Sequence, residues 1–313
     1  MKANHAKVLS LILSLVLFIL IVIIGWQNKA AIFRVIRRAD LRWLAVGFGC
    51  YFFNYLTRAR RLWLLTRKRL DYFPVAVKIT CLHGFYSYFL PLRSGDLSLP
   101  FLLHLTKKFP LTQGGGVLFR IRMLDFFSLG LLLAWASLVT TAELSVFLRG
   151  LFFASGMGLV ILSYGLIYLV NRGNDRIKKI FSRRLGKIGQ IKITYPGMGE
   201  ILISLLVWFW TGCTIFAIIK SLFIPLTFMD VWFFAAIQLP LQLLPLQGVA
   251  NTGNHEAGWM AALSLLGIKP AISLSLTMAS HVILITYVGL LGLFALALPA
   301  IDGRNRIFNR TRS

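Results

Sequence analysis

Two short stretches place chemistry inside an otherwise apolar chain. The first, LPLRSGDLSLPFLLHL at 90–105, carries Arg93 and Asp96; the second, LPLQGVANTGNHEAGWMAAL at 244–263, carries Asn251, Asn254, His255 and Glu256. Arg120, Arg122 and Asp125 follow the first stretch. Ionisable groups are expensive in hydrocarbon, so those that occur there are paired or functional. A guanidinium can hold phosphate through two parallel hydrogen bonds, and the free N–H groups of a half-helix favour an anion. Arg93, Arg120 and Arg122 are therefore candidates to attract an anionic group such as phosphate, with Asp96, Asp125, Asn251, Asn254, His255 and Glu256 completing the substrate site. Asp96 and Glu256 can also cap helices, and Arg120 or Arg122 can form a structural ion pair with Asp125. His83, His104, His255 and His281 lie in or just after these regions and, taken singly, read as satisfied polar side chains.

The same inventory argues against catalysis. His255-Glu256 is followed by Ala-Gly-Trp, so no second zinc-binding histidine arrives on the next turn. Gly114-Gly115-Gly116 lacks the Lys-Ser/Thr of a phosphate-binding loop. Cys50, Cys81 and Cys213 stand alone in apolar runs and read as small hydrophobes. No catalytic set, metal site or cofactor is expected, and the expected activity is transport, not an enzymatic reaction.

The elements that must position these residues follow from composition. At 58% hydrophobic and 14% charged, the chain has about half the charge of a soluble domain. Apolar runs at 8–26, 41–57, 123–141, 145–170, 201–220 and 272–299 approach or exceed the ~20 residues a spanning helix needs. The net charge of +24 sits mainly between these runs, which points to topology and anionic headgroups, not nucleic acid. Basic segments at 58–78, 172–192 and 304–312 place both termini in the cytoplasm by the positive-inside rule. Residues 27–42, basic but with Ile32, Val35, Ile36 and Ala39 on one face, predict an amphipathic surface helix.

Parity then makes 73–119 enter and leave on the cytoplasmic side and 228–268 on the outer side, as two re-entrant hairpins or two pairs of tilted crossings. The two regions share a pattern of Leu-Pro-Leu, a polar glycine-bearing turn, one carboxylate and a half-helix. Asp96 and Glu256 are 160 residues apart, as are Pro110 and Pro270. Two interrupted segments in corresponding positions predict an inverted repeat with its binding site between them. The expected fold is a single all-α polytopic membrane domain over 1–313: about six transmembrane helices, two opposed re-entrant helical hairpins and a basic tail at 300–313.

TRARRLWLL (57–65), PLRSGD (91–96), RIRMLDFF (120–127) and PLQGVANTGNHEAG (245–258) together resemble the membrane region of lysylphosphatidylglycerol synthases, the flippase-like module, as a stand-alone member. Leu99 stands where that family commonly has arginine, and Asp96 where glutamate is usual. The resemblance covers roughly 8–299 and implies movement of an anionic phospholipid or polyprenyl-linked lipid between leaflets of the inner membrane. It does not imply the aminoacyl transfer of longer relatives. A carrier of a small soluble anion, or a non-catalytic partner of a lipid-modifying enzyme, would use the same features.

Overall fold

A computed structural model of the chain describes residues 16, 18–66, 69, 70, 72–172, 195–241 and 247–301. Most of the 172–192 segment, the basic tail, the start of the first apolar run and the Leu-Pro-Leu of the second stretch lie outside these. Eleven α-helices and no strand occur among the described residues. They are α1 (Phe18–Gln27), α2 (Lys29–Arg38), α3 (Leu41–Leu65), α4 (Phe73–Phe89), α5 (Ser98–Leu105) and α6 (Leu111–Val139), followed by α7 (Val146–Arg172), α8 (Met198–Ser221), α9 (Phe228–Leu241), α10 (Asn254–Leu265) and α11 (Pro270–Ala297). Three of them, over Val146–Asn171, Met198–Ser221 and Ile272–Ala297, are long and apolar enough to cross a bilayer, and α1 with α2 forms a further candidate bent by 76°. The chain is an all-α polytopic membrane protein.

Local chemistry explains the boundaries. Asp40 accepts the Arg42 N–H at 2.8 Å and caps α3. α6 follows Pro110, and α11 begins on Pro270, where a missing N–H costs nothing. At the far end of α6 the Arg149 guanidinium donates to the Ser137, Thr140 and Ala142 carbonyls, satisfying the end of the helix. The long helix α6 starts twelve residues earlier than the apolar run at 123 suggests. Residues 111–119 are thus helix, and the broken region is confined to α4, α5 and the turns around them. Likewise α3 continues through Arg58, Arg60 and Arg61 instead of ending at residue 57. In both places the chain keeps its helix hydrogen bonds, and Arg61, Arg120 and Arg122 find carboxylate partners.

Each half contains a helix, a break and a shorter helix. Between α4 and α5 lies a 3₁₀ turn at Pro91–Leu97; between α9 and α10 lies another at Val249–Asn251. α5 and α10 end 160 residues apart, at Leu105 and Leu265. Packing is reciprocal: α4 lies on α11 while α9 lies on α6, and α5 and α10 lie on α6 and α11 respectively. The equivalent helices α3 and α8 pack against each other in opposite directions. Asp40 donates its N–H to the Ser221 carbonyl at one end, Asn54 bonds Val207 and Thr211 in the middle, and Arg61 reaches Ser204 at the other. Equivalent helices that run antiparallel imply a pseudo-twofold axis across the bundle, not along it, which is the inverted arrangement.

Candidate substrate site where the two breaks meet

The breaks are joined directly. The Leu92 N–H donates to the Gln247 carbonyl at 2.7 Å, and Gln247 Nε2 donates to the Ser87 carbonyl at 2.8 Å and to those of Tyr88 and Leu90 at 3.2 Å. One amide side chain thereby takes up carbonyls that the end of α4 leaves open. Both breaks use the same backbone device. Leu92 and Arg93 have φ of 56° and 55°, and Ala250 and Asn251 have 54° and 62°. Four non-glycine residues in the left-handed region carry strain of order 1–3 kcal/mol each, held in place by the contacts between the breaks.

Next to this junction is a partly open cavity of about 210 Å³, walled by α3, α4, α5, α6, α8, α9, α11 and both breaks. Four of its lining residues are arginines: Arg58, Arg61, Arg93 and Arg122. Arg61, 4% exposed, donates to Asp125 at 2.7 Å and to Ser204 Oγ at 3.3 Å. Arg122 pairs with Asp96 and, at 3.3 Å, with Asp125, while Arg93 Nε lies 3.5 Å from Asp96. Ser87 Oγ also donates to Asp96, and His83 bonds Ser87 and Ser98. Arg58 forms no ion pair or hydrogen bond with the described residues and lies only beside the Tyr55 ring, 5.6 Å from its centroid.

Four guanidiniums thus face two carboxylates, leaving an excess of two positive charges. Asn54 Oδ1, Arg58 Nε, Arg61 Nε and Tyr88 Oη are buried, belong to cavity-lining residues and have no hydrogen-bond partner among the described residues. Buried polar groups are nearly always satisfied, so this wall leaves polar groups open to a further partner.

The residues named from sequence divide between several places. Arg93, Arg122, Asp125 and Asn251 line the cavity, and Asp96 pairs with two of its arginines. Asp96 does not cap α5, whose N-cap is Leu97 without a side-chain bond. Arg120 points elsewhere and holds both oxygens of Glu200 at 2.7 and 2.8 Å, tying α6 to α8. Asn254, His255 and Glu256 are buried in α10 away from the cavity. Glu256 accepts the Gly253 N–H at 2.7 Å, as in a capping box, and bonds His281. His255 lies flat against Trp259 and His281, with centroids 5.3 and 4.4 Å apart.

Sequence reasoning did not select Arg58, Arg61 or Gln247. The signal for the arginines was present: Arg58 and Arg61 recur at i and i+3 on an apolar helix, one face of which must enter the bundle. Gln247 left no comparable signal. No group of three or more His, Cys, Asp or Glu side chains suited to a metal occurs among the described residues.

The structure is thus an all-helical membrane bundle with two joined helix breaks and an arginine-lined cavity beside them. The family model for the lysylphosphatidylglycerol synthase TM region matches residues 8–292, and the chain belongs to that family. No curated protein and no solved structure matches the chain. Membership makes this a membrane protein linked to lipid handling.

Proposed function

We propose that the protein moves an anionic phospholipid or a lipid-linked phosphate between the leaflets of the inner membrane, without chemically altering it. The observation that carries this reading is the excess of two arginine charges around the cavity at the joined breaks. Desolvated positive charge requires a counter-anion, and a cavity of about 210 Å³ has room for a phosphate and a few waters, at ~30 Å³ each, but not for acyl chains. Beside the first break runs an apolar groove of about 730 Å³ lined by Leu90, Leu97, Phe101, Leu105 and Leu111, with Ser94 at its edge. Ser94 adjoins Arg93 in sequence, so the groove suits tails whose headgroup reaches the arginines. That favours a lipid over a small soluble anion.

In mechanism, Arg58 and Arg93 receive the phosphate, while Arg61, Arg122, Asp96 and Asp125 form the fixed network that orients them. The antiparallel halves would enter the membrane from opposite faces as re-entrant hairpins, with both termini cytoplasmic. Rocking about the Gln247 bridge would then change which leaflet reaches the cavity.

Arg58→Gln tests this most cleanly, because removing a guanidinium with no carboxylate partner leaves no buried charge unpaired. In proteoliposomes containing headgroup-labelled phosphatidylglycerol, the variant is expected to slow translocation at least ~10-fold, the loss of one charge-assisted contact, with an unchanged melting temperature. A wild-type rate in this variant would refute the assignment.

A further inference from the structure

The second break contains a buried proton that the lipid site does not use. His281, 4% exposed, contacts acceptors through both ring nitrogens: Nε2 lies 2.8 Å from the Ala250 carbonyl oxygen, and Nδ1 bonds Glu256. A carbonyl only accepts, so Nε2 carries hydrogen. The Nδ1–Glu256 contact then needs a second proton, either on the imidazole or on the carboxyl. A neutral imidazole facing an ionised carboxylate would set lone pair against lone pair in one of these contacts.

The neighbouring His255 is different. Ser280 Oγ donates to the Thr277 carbonyl at 2.8 Å and therefore accepts from His255 Nε2 at 3.0 Å, which a neutral imidazole satisfies. The extra proton therefore belongs to the His281–Glu256 pair. Among the described residues, the ionisable groups packed on this pair are His255 from α10 and Tyr88 from α4, whose ring centroid is 6.1 Å from that of His281. None of the described lysines, arginines or further carboxylates bonds to it.

This proton fastens the break. Loss of it costs the pair either the Glu256 bond or the bond to Ala250, whose left-handed backbone continues into Asn251 on the cavity wall. The segment also carries Gln247, the bridge to the first break. With its proton the pair is neutral, and without it the pair bears one buried negative charge with no cation bonded to it among the described residues. Tyr88 is shared between the two places, lining the cavity with a buried hydroxyl that has no hydrogen-bond partner among the described residues.

We propose that His281 and Glu256 hold one exchangeable proton that binds together with the anionic headgroup, making headgroup movement a proton symport. This rests on the translocation reading above. The proton enters on the acidic side, stays on the pair while the headgroup crosses, and leaves on the alkaline side as the break loosens. The test uses full-length protein in proteoliposomes with headgroup-labelled phosphatidylglycerol, an imposed pH difference, and the membrane potential collapsed by potassium and valinomycin. The expected result is accumulation of labelled headgroup in the leaflet facing the alkaline side, by about tenfold per pH unit for one proton per headgroup. Glu256→Gln and His281→Gln are each expected to abolish that bias, whatever their rates. Equal distribution by the wild type, or a bias surviving in either variant, overturns the symport while leaving lipid movement intact. Absence of any headgroup movement by the wild type overturns the translocation reading, and the symport falls with it.

Discussion

The two breaks share a backbone and differ in chemistry. Each places two consecutive non-glycine residues in the left-handed region, Leu92 and Arg93 in one and Ala250 and Asn251 in the other, and each precedes a half-helix ending at an equivalent leucine. Around the first break the side chains are charged, partly exposed to a cavity and incompletely neutralised. Around the second they are amides, imidazoles and one carboxylate, closed off from the cavity apart from Gln247 and Asn251. Pseudosymmetry therefore reproduces the geometry of an interrupted helix without repeating its side-chain chemistry. The ends of α4 and α9 show the same economy with opposite charge. Lys78 donates to the Leu298 carbonyl at the end of α11, whereas Asp230 accepts from Thr140 and Thr141 at the end of α6.

The comparison can be broken most severely at Asp125. Asp125→Asn leaves Arg61 buried with a weakened partner, and losing one member of a buried pair costs about 3–5 kcal/mol. The expected outcome is a large drop in melting temperature in detergent. Glu256→Gln in the second break, where no fixed cation is stranded, should cost less in the same assay.

Glycine requirements separate the breaks next. A Cβ on Gly95 would lie 2.1 Å from the Tyr86 carbonyl oxygen, a backbone contact that cannot yield without moving the turn. Gly95→Ala is expected to cost roughly 3 kcal/mol or more, as overpacking does at its upper end. Gly253 has φ of 85° and ψ of −57°, the strained γ-turn conformation, and Gly253→Ala should cost about 1–3 kcal/mol from backbone strain alone. Parallel chemical denaturation of the two variants checks the order.

The smallest effect concerns what joins the two regions. Gln247→Ala removes side-chain bonds to the end of α4 but leaves the Leu92 N–H to Gln247 carbonyl bond in place. A stability loss of about 1–2 kcal/mol is expected from net hydrogen-bond energies. Faster amide hydrogen exchange at 91–97 and 248–253 together would show that the breaks move as one; exchange confined to one of them would show that they do not.

Several features of this arrangement were legible before folding. Prolines, glycines and acids inside apolar runs marked both breaks, because interruption of a helix is a local property of the chain. The constant spacing of Asp96 with Glu256 and Pro110 with Pro270 exposed the repeat for the same reason. Helix lengths were read less well: α3 and α6 run on through arginines that hydropathy alone assigns to loops. Charge was a poor guide to the boundary because the partners that neutralise it are distant in sequence.

The amino-acid sequence by itself determined the class of this protein: a polytopic helical membrane domain, interrupted twice at equivalent points, with an inward-directed charge inventory. Local hydropathy and chain-breaking chemistry suffice for that. Only the tertiary structure decided which charges meet. It turned Arg120 to Glu200, buried Arg61 on Asp125, 64 positions further along the chain, left Arg58 without an ion pair among the described residues and closed Glu256 onto His281. Partnerships of this kind depend on which helix faces pack together, and antiparallel packing of distant segments sets that geometry.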